Sequence, residues 1–506
     1  ASTISGGYCN TISCSSRSVI GGGRRNTVSG NVAHTTISGG YCNTISSQVG
    51  TISGGRANTS SGSYSFIGGG CTNTSSSLSA SIVGGVKNLA QGIYSTIGGG
   101  ICNNACNTTC DCLALGSVVV GGVGNNTTGG TWTLANCCFT VAPTICNAGS
   151  MSFVGGGFQN AATGICSVAV GGTKNTASGS YAVLVGGFNN TSSGLYSFVG
   201  SGGSNRACCK SSVVVGGSSN GSCSTYAVVG GGRFNTACGT SATISGGSQN
   251  ATFGACSTIG GGDNNRSCSI SSVVSGGRLN VAQGIYSKIG GGICNNACNS
   301  TCDCLAIGSV VVGGVGNNTT GGTWDLATCL FTVAPTICNA GSMSFVGGGF
   351  QNLAKGDCSV VVGGRLNTSS NTYTTVGGGL CNTASNNSAV VSGGQINLAQ
   401  AIYSTIGGGR CNTITATGGT LSGGYCNSNC GSYAFLGGGI CNTISAACAV
   451  LGGGRLNTAS GIYATLSGGY CNVSSALASS IAGGRKNLAQ GIYSIVGGGI
   501  CNNACN

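Results

Sequence analysis

One pattern, an aliphatic residue followed by x-Gly-Gly-x-x-Asn, recurs along the whole chain, as in Ile97 to Asn103. It is read 30 times: at Asn10, Asn26, Asn43, Asn58, Asn73, Asn88, Asn103, Asn125 and Asn160, every 15 residues to Asn295, at Asn317 and Asn352, and every 15 again to Asn502. A fixed short period constrains the fold more than any local propensity. A single repeat cannot bury its own apolar side, so each must stack on its neighbours as one coil of a solenoid. The expected fold is all-β, a parallel β-solenoid of about 30 coils with a 15-residue period.

Composition agrees. Gly makes up 101 of the 506 residues, Glu is absent and only 5% of residues are charged, so helix formers are scarce. The 40% apolar residues fall at fixed positions, which a disordered tract has no reason to do. A solenoid grows along one axis, so the chain is expected to be one continuous elongated unit rather than several globular domains. Plain coils are expected over 1–106, 160–298 and 352–506, with paired insertions over 107–159 and 299–351. The spacing is 192 residues from Asn103 to Asn295 and 207 from Asn295 to Asn502, one 15-residue coil more, so the array is built by block duplication. Residues 499–506 repeat the sequence that precedes both insertions, which suggests an excerpt of a longer array.

Within a coil, the ninth residue after the Asn is aliphatic (Ile67, Ile97, Val199, Ile244, Ile406) and the seventh is a small Ser or Ala. That period of two marks a short strand with one buried face. A second inward position lies two after the Asn (Ile45, Ala90, Ala282, Ala459). The Gly-Gly pair supplies a turn with positive φ, and two strands with two corners per coil are expected. On the outer face, Tyr stands six after the Asn (Tyr94, Tyr181, Tyr196, Tyr286, Tyr403, Tyr463), with Thr, Val or Phe eight after it. A lone roll would leave this row in water, so it is read as partner-facing, in a homotrimer or fibre.

Tyr-Ser-Thr-Ile-Gly-Gly-Gly at 94–100, with Asn-Thr-Ala-Ser-Gly as at 175–179, resembles the Ser-Val-Ala-Ile-Gly…Ala-x-Ala-x-Gly repeat of trimeric autotransporter adhesin heads. The resemblance implies a left-handed parallel β-roll, three chains packed together on a cell surface, and a head that binds host or matrix components.

The repeated Asn (Asn88, Asn103, Asn175, Asn190, Asn205, Asn220) is expected to form an amide ladder, each side chain bonding to those above and below and capping the turn. Asn107, Asn126, Asn299 and Asn318, in the insertions, are the candidate glycosylation sites. Thirty-four cysteines point to an oxidising location, extracellular or on a cell or virion surface. Cys102 with Cys106, Cys294 with Cys298, Cys426 with Cys430 and Cys501 with Cys505 are read as disulfides within coils. The bunching of Cys102, Cys106, Cys110 and Cys112 lacks paired Cys-x-x-Cys spacing, so no metal site is expected. Trp132 and Trp324 mark the long insertions as lateral recognition loops.

Twelve of the 18 basic residues sit in the two positions before the Asn, forming a sparse cationic stripe along one turn edge. Its charges are diluted over many coils, so the stripe is read first as solvated turn tips rather than a polyanion site; a glycan or surface ligand is kept as a candidate partner, and nucleic acid is not expected. With one His (His34) and five Asp, no catalytic relay is in view, and neither an enzyme nor a cofactor is expected. No apolar run is long enough to span a membrane. The sequence reads as a non-catalytic extracellular structural fibre or adhesin-like shaft, with an ice-binding or glycan-binding solenoid as the alternative.

Overall fold

The computed structural model describes residues 1–105, 115–133, 138–141, 143–145, 148–297, 307–325, 328, 330–333, 335–337 and 340–505. It divides into two compact units, Ala1–Gln249 and Asn250–Asn506. Each unit is a parallel β-solenoid with a period of roughly 15 residues and, among the described residues, no helix, and the two together hold about 31 turns.

Each regular coil carries two strands of two residues. The core strand, such as Thr96–Ile97, turns its aliphatic residue inward. The Asn strand, such as Leu89–Ala90, directly follows the Asn and turns its small residue inward. Both stack in register, Ser81 on Thr96 and Ile82 on Ile97, Leu89 on Asn104 and Ala90 on Ala105. Core strands run from Thr3–Ile4 to Thr243–Ile244 in the first unit and from Thr258–Ile259 to Ile495–Val496 in the second. Ile20, Ile37, Ile52, Ile67, Ile82 and Ile97 form a fully buried aliphatic column, with Ala90 and Ala105 in the column opposite.

The coil has a third ladder that the sequence reading, with two strands per coil, did not include. Within each unit the residue two before the Asn forms a single parallel bridge to its counterpart, as Val86 does with Ile101. The Ile101 N–H donates to the Gly122 carbonyl of the next coil at 2.9 Å. Stacking therefore continues through the turn, satisfying backbone groups that a solvent-facing loop would leave to water.

Gly100, the second of its pair, has φ +88, and a Cβ there would lie 2.1 Å from the Gly122 oxygen. Gly99, the first, would meet nothing within 4 Å, so in this coil only the second of the two positions demands glycine. Positive φ also falls on ordinary residues: Cys102 (φ 53) and Lys87 (φ 54) before the Asn, and Tyr94 (φ 58) at the opposite corner. Each such residue costs roughly 1–2 kcal/mol. Fixed bonds to the preceding coil hold them in place, Cys102 N–H to Val86 O at 2.9 Å and Tyr94 N–H to Leu78 O at 3.0 Å.

Each long insertion is a hairpin, one per unit. In the first unit Thr127–Thr128 pairs antiparallel with Thr144–Ile145, and Thr131–Thr133 with Cys138–Val141. In the second, Thr319–Thr320 pairs with Thr336–Ile337 and Thr323–Asp325 with Leu330–Val333. Each hairpin leaves the coil where the Asn strand would run. The first Asn-strand sheet accordingly ends at Asn104–Ala105, and the next begins at Ala161–Ala162.

Candidate functional surfaces

The Asn row is structural, and its bonding differs from the expected amide-to-amide ladder. Asn103 Nδ2 donates to Gly99 O at 2.8 Å within its own turn and to Gly122 O at 3.0 Å in the next coil. Its Oδ1 accepts from the backbone N–H of Asn125 at 3.0 Å. Asn88, Asn175, Asn190, Asn205 and Asn220 repeat this arrangement. Neighbouring amides are bridged by backbone because each carboxamide is spent on the turn that the glycine creates. The side chains are at most 1% exposed, so every polar atom has to be satisfied inside the coil.

Two of the candidate glycan acceptors are corrected by the same geometry. Asn126 is fully buried, its Nδ2 donating to Asn104 O at 2.9 Å and its Oδ1 accepting from Ala162 N at 2.8 Å. Asn318 does the same between Asn296 O (3.0 Å) and Ala354 N (2.8 Å). Each carboxamide replaces the strand that the hairpin removes, so neither is open to a glycan in the folded chain. Asn107 and Asn299 lie outside the described residues.

The cysteine pairing is also corrected. Cys426, Cys430, Cys501 and Cys505 are free thiols, as are Cys102 and Cys294. Cys426 sits in the tight turn before the Asn (φ 53), while Cys430 lies beyond the following strand Ser428–Asn429, with its Sγ 3.4 Å from Ser428 Oγ. The intervening strand separates the pair. Cys106 and Cys298 lie outside the described residues, as do Cys110 and Cys112. Burial pushes the Cys102 and Cys294 thiols up against the opposing pull of Lys87 and Arg278. In the first unit Cys208, Cys223 and Cys238 occupy equal positions of successive coils. Burial and the neighbouring thiols raise Cys223 to about 11.

The tyrosines named as partner-facing are exposed, from 47% at Tyr181 to 65% at Tyr403. They stand on the positive-φ corner, however, and not on the outer face of the strand. The period-two count back from the buried aliphatic residue fails at that corner. Tyr181 and Tyr196 stack at 5.0 Å between ring centres.

The core strands' outer face is apolar over a long stretch of the first unit. Val118, Phe153, Val168, Val183, Phe198, Val213 and Val228 follow one another on paired parallel strands. Val120, Val170, Val185 and Val215 lie exposed beside them. The Asn-strand face nearer the first residue is polar: Thr11, Thr27, Thr44, Thr59 and Thr74 stack in register, with Ser13, Ser29, Ser46, Ser61 and Ser76 two residues on.

The bridge row before the Asn carries the cationic stripe and a feature missed in the sequence. In the first coils it reads Tyr8, Arg24, Tyr41, Arg56, each bridged to the next. The Arg24 guanidinium lies 5.4 Å from the Tyr8 ring centre and 5.7 Å from that of Tyr41, and Arg56 lies 5.9 Å from Tyr41. In the second unit Tyr470 stands between Arg455 at 5.8 Å and Arg485 at 5.4 Å. Aligning the column two before the Asn by residue type, rather than by charge alone, would have revealed the alternation.

The hairpin tryptophans seat their loops on this same row. Trp324 meets Phe331 edge-on at 5.0 Å and the bridge residue Phe350 at 5.9 Å, and Arg365 lies 5.4 Å over Phe350. Gln351 Nε2 donates to the Gly321 carbonyl. A niche of about 470 Å³ remains, lined by Gly322, Thr323, Trp324, Phe350, Gln351 and Arg365. Trp132 repeats the packing on Phe139 (5.0 Å) and Phe158 (5.9 Å). Among the described residues no cluster of His, Cys, Asp or Glu is arranged to hold a metal ion. Nor, among these residues, is any helix long and apolar enough to cross a membrane. Comparison with protein-family models and with curated proteins returns no match.

Proposed function

We propose that the chain is a non-catalytic, extracellular structural repeat protein that self-associates, as a homotrimer or fibre, through the outer face of its core strands. The observation that carries this reading is the unbroken row from Val118 to Val228, flanked by exposed Val120, Val170, Val185 and Val215. A flat sheet with contiguous apolar side chains in water is the surface that a second copy covers. Repetition makes the contact additive, since each further coil adds the same small burial. The resemblance to trimeric adhesin heads points the same way. Sedimentation in native buffer is expected to give an oligomer that Val170→Lys, Val185→Lys and Val215→Lys together reduce to a monomer; a monomeric parent chain refutes the assembly.

A second reading, ice binding, is favoured by the Thr11–Thr74 row with its companion serines. Its rungs are spaced by the sheet's own repeat, about 4.8 Å. Thermal hysteresis in a dilute solution of the chain, abolished by Thr44→Lys, is the expected signature, and its absence removes this reading.

A further inference from the structure

We infer that the Tyr8–Arg24–Tyr41–Arg56 edge, and its counterpart Arg455–Tyr470–Arg485, bind an extended polysaccharide carrying one acid group per two sugar units. The inference does not depend on self-association, because it uses a different side of the coil.

The first observation is spacing. The four residues occupy one bridged row, so successive side chains are one coil apart, and Arg24 and Arg56 are separated by two coils, about 9.6 Å. An extended disaccharide spans a comparable distance. The second is pre-organisation. Arg24 is held between two tyrosine rings and Arg56 against one, so little side-chain freedom is left to lose on binding. Third, both guanidinium groups are exposed and, among the described residues, neither forms an ion pair. The row contains its own contrast in Arg278, whose Nε lies 3.3 Å from Asp263 Oδ2. Fourth, residues 1–110 contain no Asp or Glu, while Arg17 and Arg25 add to the positive field.

The packing also selects the ligand class. Tyr41 has a guanidinium over it from each side, Arg24 at 5.7 Å and Arg56 at 5.9 Å, so its faces are not free to stack on nucleobases. What remains to face a ligand is an alternation of phenol and guanidinium groups. Guanidinium pairs with carboxylate or sulfate in a bidentate fork, and phenol exchanges hydrogen bonds with sugar hydroxyls. The recurrence around Tyr470, with Lys486 beside Arg485, makes a second site of the same design in the other unit.

The test is isothermal titration of the full chain with a hyaluronan decasaccharide, which carries one carboxylate per disaccharide, alongside a chitin oligosaccharide of equal length and a thymidine oligonucleotide. Binding is expected for hyaluronan alone, weakening as salt rises. The quadruple variant Arg24→Gln, Arg56→Gln, Arg455→Gln, Arg485→Gln is expected to lose at least tenfold in affinity. Tyr41→Ala with Tyr470→Ala, which keeps every charge, should lose at least threefold. Arg206→Gln, on the Asn strand, should change nothing. The changed side chains are exposed or half-buried, and circular dichroism verifies the fold of each variant. Equal binding of chitin or the oligonucleotide, no binding of hyaluronan, or undiminished binding by the quadruple variant overturns the inference.

Discussion

At the residue scale the fold rests on an exchange between Asn and Gly. The glycine three before the Asn opens a turn that no Cβ fits, and the Asn closes it with three bonds to backbone. Asn190→Ala would leave Gly186 O and Asn205 N without their partner, and Gly202 O with the Phe188 N–H alone. An unpaired buried polar group costs about 1–3 kcal/mol. Amide exchange is therefore expected to accelerate in the coils around residue 190 while distant coils stay protected. Gly187→Ala is expected to be at least as damaging, because its Cβ would meet Gly202 O at 2.1 Å. Cys223 gives a pH dependence. Its thiol is raised, so the folded state favours the neutral form; this contribution is complete below the ordinary value of 9.0 and is lost as pH rises through about 11. Local exchange near residue 223 should quicken over that window, and Cys223→Ser should remove the effect. The Asn period was legible in the sequence because a buried carboxamide tolerates no substitute. The left-handed backbone at Cys102 or Tyr94 was not, because nothing in those side chains asks for it and neighbouring coils impose it.

At the scale of elements, the hairpins were legible only as interruptions. Their Trp announced a lateral feature, but that Trp324 would turn back onto Phe350 depends on the bridge row, which a two-strand reading of the coil does not contain. With Trp324 as the sole tryptophan, in a Trp132→Phe background, Phe350→Ala is expected to red-shift its emission and admit quencher. An unchanged spectrum would mean that the hairpin is seated by other contacts. Asn126 was misread for a related reason: an Asn-x-Thr triplet on a loop looks like an acceptor until the missing strand beside it is seen. Asn126→Ala should expose the Ala162 N–H to exchange, whereas loss of a true glycan site would leave that amide protected.

For the molecule as a whole, near-identical coils mean that stability accumulates by addition and surfaces are drawn as long rows, apolar over one stretch, hydroxylated or cationic over others. The same uniformity raises a question of counting. Bridges, Asn bonds and buried aliphatic columns are almost the same in every coil, so a chain that skipped one coil while folding would find nearly equivalent partners one period on. The hairpins break that degeneracy. Asn126 completes its pattern only between Asn104 and Ala162, and Asn318 only between Asn296 and Ala354. One index mark in each unit thus fixes which coil stacks on which.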